Sequence, residues 1–131
     1  MPTWVACVAK VHVNRANGEV SLKKLTMVVD CGLVVHPDGA LAQLEGSALW
    51  GASLALHEGN SFKDGKISSL NLNTYTPLRM NNLPELDIHF VESEETPVGL
   101  GEPGVVAVAV APAIGNAIFN AVGVRVHDLP I

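Results

Sequence analysis

Residues 4–30, WVACVAKVHVNRANGEVSLKKLTMVVD, decide the fold. Val5, Cys7, Ala9, Val11 and Val13 alternate with Lys10 and His12, the period of a strand with one buried face. Asn17-Gly18 follows as a strong turn signal. Beyond it, Val20 and Leu22 keep one phase, whereas Leu25, Met27 and Val29 take the other. The slip falls at Lys23-Lys24 and predicts a β-bulge there. The stretch therefore predicts a long hairpin from about Thr3 to Asp30.

Downstream, Cys31 to Pro37 reads as a loop containing Gly32, and Pro37 can open a helix at its first turn. From Gly39 to Leu56 the apolar residues Leu41, Leu44, Ala48, Ala52, Ala55 and Leu56 recur at helical spacing, with Gly59 as the stop. Gly46 and Gly51 weaken a helix, so close packing against a neighbour is their expected reason. Phe62 and Ile67 flank Lys63-Asp64-Gly65-Lys66 and predict a second hairpin. Leu86, Ile88 and Phe90 alternate in a further strand, and Glu92 to Pro103 is an acidic, Gly- and Pro-rich loop. Val105 to Val122 reads as a buried helix that Pro112 starts or breaks and Gly123 ends. Ala113, Ala117 and Ala121 share one face of it, with Ile114 and Ile118 beside them. A tail from Val124 to Ile131 closes the chain. These separate runs predict an α+β fold, antiparallel hairpins packed with two main helices, in a single domain spanning residues 1–131.

Composition narrows the function classes. The 131 residues carry 8 Lys+Arg against 13 Asp+Glu, which disfavours a nucleic-acid partner. Hydrophobic residues reach 48%, which excludes intrinsic disorder. Charged residues are only 16%, against about 25% in an average domain, and this points to a face hidden against a partner. Cys7 and Cys31 form no CxxC pair and read as two reduced, buried thiols. The N-terminus has neither the basic nor the apolar region of a signal peptide.

Candidate chemistry is sparse. Gly99-Leu100-Gly101-Glu102-Pro103-Gly104 fits GxGxxG by spacing, but Glu94, Glu95 and Pro97 make a poor preceding strand. Glu102, at the mouth of a helix, suits either a capping acid or a general base. Gln43, a polar side chain on an apolar helix, suits either a solvent-facing amide or a ligand donor. The histidines His12, His36, His57, His89 and His127 include no i, i+4 pair, so no protein-ligated metal site is expected.

The ordered set Val29-Asp30-Cys31-Gly32, His36-Pro37-Asp38, Gln43-Leu44-Glu45-Gly46, Leu78-Arg79-Met80, Gly99 to Gly104, Asn116-Ala117-Ile118 and Leu129-Pro130-Ile131 resembles a known family. It is similar to the C-terminal part of the molybdopterin-binding subunit of the xanthine oxidase (molybdenum hydroxylase) family. The aldehyde and isoquinoline 1-oxidoreductase branch is the nearest in pattern. The resemblance implies that Glu102 lies beside the molybdenum and is the catalytic base. It implies that Gln43 hydrogen-bonds the molybdopterin, and that Gly101, Pro103 and Gly104 shape the loop. The implied reaction is oxidation of a small aldehyde or N-heterocycle with water as oxygen source. The implied partners are the remainder of the molybdenum subunit and a small 2Fe–2S subunit carrying the iron–sulfur clusters.

Family subunits are several times longer, so the chain is expected to be one piece of such a subunit. Alone it is expected to be inactive, to hold no cofactor and to self-associate. The expected compartment is the cytoplasm, with the periplasm as alternative. The competing expectation is a stand-alone, non-catalytic interaction module derived from the same family.

Overall fold

The computed structural model describes residues 2–101 and 107–131. Strand β1, Trp4–Val13, pairs antiparallel with β2, Val20–Asp30. Lys10 faces Lys24 and Val11 faces Leu22, which leaves Lys23 as the extra residue of a β-bulge. The bulge explains the phase slip in the sequence. It returns Leu22 and Leu25 to the same buried side although they lie three residues apart.

Helix α1 spans Pro37–Leu56. Pro37 occupies the first turn, where its missing N–H goes unneeded, and the His36 ring accepts a hydrogen bond from the Gly39 N–H. The helix ends at Leu56, three residues short of Gly59. There the His57 and Glu58 N–H groups both return to the Ser53 carbonyl, and the i→i−4 ladder goes no further. A small hairpin follows, β3 (Phe62–Lys63) with β4 (Lys66–Ile67), turned by Asp64 and Gly65 at positive φ.

Strand β5, Glu85–Phe90, corrects the expectation of a purely antiparallel sheet. It pairs parallel to β2, and the sheet is mixed, in the order β1-β2-β5. The reason is the connection. A 20-residue helix, about 30 Å long, carries the chain from the end of β2 back toward its start, so β5 must run in the same direction as β2.

Helix α2 spans Ala107–Val122 and passes through Pro112, which neither starts nor breaks it. Proline there forfeits one hydrogen bond, to the Val108 carbonyl, but Pro112 is exposed and leaves the core side undisturbed. That core side is the row Val110, Ile114 and Ile118. Ala121 is exposed, so the helix is buried along one stripe rather than all round. Gly123, at φ 75°, closes it with an N–H bond to the Phe119 carbonyl.

Both helices cover one face of the sheet. Leu25, Met27 and Val29 of β2 lie under Leu44, Ala48, Ala52 and Ala55 of α1 and the α2 row. Gly51 lets the helices meet, because an added Cβ would stand 2.8 Å from the Ala107 carbonyl oxygen. Gly46 does not serve this purpose: a Cβ there meets nothing within 4 Å among the described residues. Cys7 and Cys31 are free, with Cys7 only half-buried; desolvation pushes the Cys7 thiol up to about 11. Among the described residues no helix is long and apolar enough to cross a membrane.

Among the described residues no element covers the opposite face of the sheet. Trp4, Val8 and Val28 are exposed there, beside a charge cluster in which Lys24 bridges Glu85 (2.9 Å) and Asp87 (3.0 Å), and Asp87 reaches His89 (2.8 Å). The Lys24 hydrogen bond holds the Asp87 carboxyl below its ordinary range, while Glu85 and then Asp87 push Lys24 up. The Asp87 contribution to stability is present above the ordinary Asp range and disappears as pH falls through the depressed value. The Lys24 contribution disappears only as pH rises through its raised value.

Two outcomes are expected. Asp87→Asn lowers the urea midpoint near neutral pH, and its gap from the parent closes on acidification; a gap that stays constant contradicts the ion pair. Gly51→Ala destabilises by about 1–3 kcal/mol through overpacking. Gly115→Ala, where a Cβ meets nothing among the described residues, is neutral or stabilising by up to about 1 kcal/mol. Equal urea midpoints for the two glycine variants would contradict the close helix contact.

Candidate functional site

The end of the sheet where β2 and β5 finish gathers three segments. The loop after β2 and the loop after β5 are laced together: Leu33 N–H donates to the Glu95 carbonyl (2.9 Å) and Val98 N–H to the Cys31 carbonyl (3.1 Å). Gly32 sits at φ 72° between them, and a Cβ there would lie 2.4 Å from the Thr96 carbonyl oxygen. No other residue fits this approach. The third segment is the first half of α1, which begins at this same end. α2 finishes at the opposite end, where Arg15 of the β1–β2 turn donates to the Ala121 carbonyl (2.9 Å). Both helices therefore have their N-termini, the positive ends of their dipoles, toward this corner.

Gln43 is the side chain that joins α1 to the loop. Its Nε2 donates to the Gly101 carbonyl at 2.9 Å. The sequence-predicted residues Gln43 and Gly101 are thus brought into direct contact across 58 positions. Glu102, Pro103 and Gly104 lie outside the described residues. One N–H of the Gln43 carboxamide is spent on Gly101; its other N–H and its oxygen have no partner among the described residues. A half-used carboxamide beside backbone amides and carbonyls is chemistry that suits a heterocycle with its own donors and acceptors. Among the described residues no three His, Cys, Asp or Glu side chains converge to hold a metal ion.

One contact had no signal in the sequence. The Thr3 hydroxyl, at the entry to β1, donates to the Gly99 carbonyl at 2.8 Å. Threonine before a strand is unremarkable by pattern, and the two residues are 96 positions apart. A cavity of about 430 Å³ lies at the opposite end of the sheet, between the start of β2, the end of α1 and Ile131. It contains neither Gln43 nor Gly101.

The Gln43–Gly101 bond has a measurable signature. Gln43→Met keeps the shape and loses the donor, and is expected to lower stability by about 0.5–1.5 kcal/mol in urea unfolding. Gln43→Glu sets a carboxylate against the same carbonyl and is expected to lower it further. A glutamate variant as stable as the parent would contradict the bond.

Comparison with known proteins identifies the family. The sequence model of the molybdopterin cofactor-binding domain matches residues 1–84. The chain is 58% identical, over its full length, to a protein of Gluconacetobacter polyoxogenes named membrane-bound aldehyde dehydrogenase (pyrroloquinoline-quinone), of which it covers 17%. It is 34% identical over 127 residues, 97% of the chain, to isoquinoline 1-oxidoreductase subunit beta of Brevundimonas diminuta, of which it covers 16%. The aldehyde oxidoreductase of Desulfovibrio gigas superposes with a TM-score of 0.76 at 29% identity, over 98% of this chain and 14% of that one. The chain thus spans about one-sixth of the length of these relatives. On the match over residues 1–84, the chain belongs to the molybdopterin cofactor-binding domain family.

Proposed function

We propose that this chain is the part of a molybdenum hydroxylase subunit that carries the catalytic base and one wall of the cofactor site. The complete enzyme oxidises a small aldehyde, or an N-heterocycle, to its hydroxylated product. Water supplies the oxygen, and two electrons and two protons leave the substrate and water together. The observation that carries the reading is the Gln43–Gly101 hydrogen bond, which brings two residues expected at the cofactor within 2.9 Å. The 58% identity to a protein named as an aldehyde dehydrogenase favours an aldehyde over a heterocycle.

The molybdenum cofactor supplies the two-electron redox chemistry that protein side chains lack. In this reading Glu102 accepts the proton of the attacking oxygen. Gln43 holds the pterin with the carboxamide groups that Gly101 leaves free. Gly101, Pro103 and Gly104 set the backbone course around Glu102.

The rest of the subunit and a small 2Fe–2S subunit are the proposed partners. The names of several relatives, among them subunit beta of isoquinoline 1-oxidoreductase, describe subunits of larger enzymes. Trp4, Val8, Trp50 and Val108 are exposed, a distribution that suits packing against further protein and promotes self-association when the chain is alone.

The name of the 58%-identical relative pairs its activity with a quinone, whereas the family is defined by a pterin, and this makes a sharp test. The complete subunit is purified and assayed for molybdenum, for pterin after oxidation, and for pyrroloquinoline quinone. Stoichiometric molybdenum and pterin are expected; quinone without molybdenum would overturn the proposal. In the same enzyme Glu102→Gln is expected to abolish aldehyde oxidation and keep the molybdenum. Normal turnover would remove Glu102 from the reaction.

A further inference from the structure

We propose that Thr3 is a positioning residue, which together with Gln43 clamps the turn at residues 99–101 and so sets the direction in which the chain leaves Gly101 for Glu102. The inference rests on the reading in which Glu102 is the base.

The turn needs external support. Gly99 and Gly101 both adopt positive φ, 80° and 74°. Glycine enters that region readily but also leaves it readily, so two such residues one apart make a flexible segment. Among the described residues, the only hydrogen bonds made by residues 99–101 are those from Thr3 to the Gly99 carbonyl and from Gln43 to the Gly101 carbonyl. Between them Leu100 is half-buried against the core. One side chain thus anchors the turn to the hydrophobic layer, while two donors hold the carbonyls on either side of it.

The donors come from different elements. Thr3 sits at the edge of the sheet and Gln43 on α1, so the clamp ties the turn to both layers. Val98 is bonded to Cys31 upstream, and Ala107 presses on Gly51 downstream. A clamp of this kind leaves the acid–base chemistry to Glu102 and governs its aim, and a base misplaced by about 1 Å can lose roughly 100-fold in rate.

Thr3→Val removes the donor at constant shape, and Thr3→Ser keeps it. In the 131-residue chain, ¹⁵N relaxation is expected to show order parameters for residues 99–101 falling from about 0.85 to below about 0.6 in Thr3→Val and holding in Thr3→Ser. In the complete subunit, Thr3→Val is expected to lower kcat roughly 10- to 100-fold with KM and molybdenum content unchanged, and Thr3→Ser to restore it. Unchanged order parameters in Thr3→Val overturn the clamp. A loosened turn with unchanged kcat, or an equal loss in Thr3→Ser, overturns the positioning role. An unsubstituted subunit without molybdenum overturns the functional reading beneath the inference, and the order parameters then decide the clamp by themselves.

Discussion

The close approach of the two helices over the central strand is the constraint on which the rest of the molecule depends. Leu25, Met27 and Val29 present a continuous apolar ridge along β2, and no single helix covers it. α1 and α2 share the task, and they can do so only where Gly51 lets the backbone at Ala107 come within van der Waals distance. That contact fixes the position of Ala107 against α1. In sequence, the segment that contains Glu102 lies between the Gly99–Gly101 turn and Ala107. Core packing and site geometry are therefore one problem in this domain. A volume change at Gly51 is expected to be felt at the corner where Gln43 meets Gly101.

The two faces of the sheet serve different ends. The inner face is apolar and closed by helices. The outer face combines exposed Trp4, Val8 and Val28 with the Lys24–Glu85–Asp87–His89 cluster. The low charge fraction of the sequence has its structural counterpart here and on the outer sides of the helices, where Trp50 and Val108 are exposed. Such surfaces accord with a domain that spans about one-sixth of the length of its relatives.

Much of this was legible in the sequence because it is local. The hairpin, its bulge at Lys23, the start of α1 at Pro37 and the strand around Ile88 each follow from side-chain period or turn chemistry within a few residues. The parallel pairing of β2 with β5 was not legible, since strand direction is set by a crossover of some fifty residues rather than by the strand's own pattern. Pro112 misled for a related reason: the cost of an interior proline is local, whereas the packing of Val110, Ile114 and Ile118 that carries the helix through it is tertiary. Gln43 stood out as a polar side chain on an apolar helix, the family resemblance implied its role, and the fold then supplied its partner. Thr3 left no trace, because its meaning lies wholly in a contact across 96 residues.

The central claim is that the corner built by Gln43 and the Gly99–Gly101 turn faces the molybdenum cofactor. Anomalous diffraction at the molybdenum edge, from crystals of the complete subunit, tests it directly. The account predicts one strong peak beside Gln43 and Gly101. A peak at the opposite end of the sheet, near the cavity that Ile131 lines, or no peak in crystals of active enzyme, would contradict it.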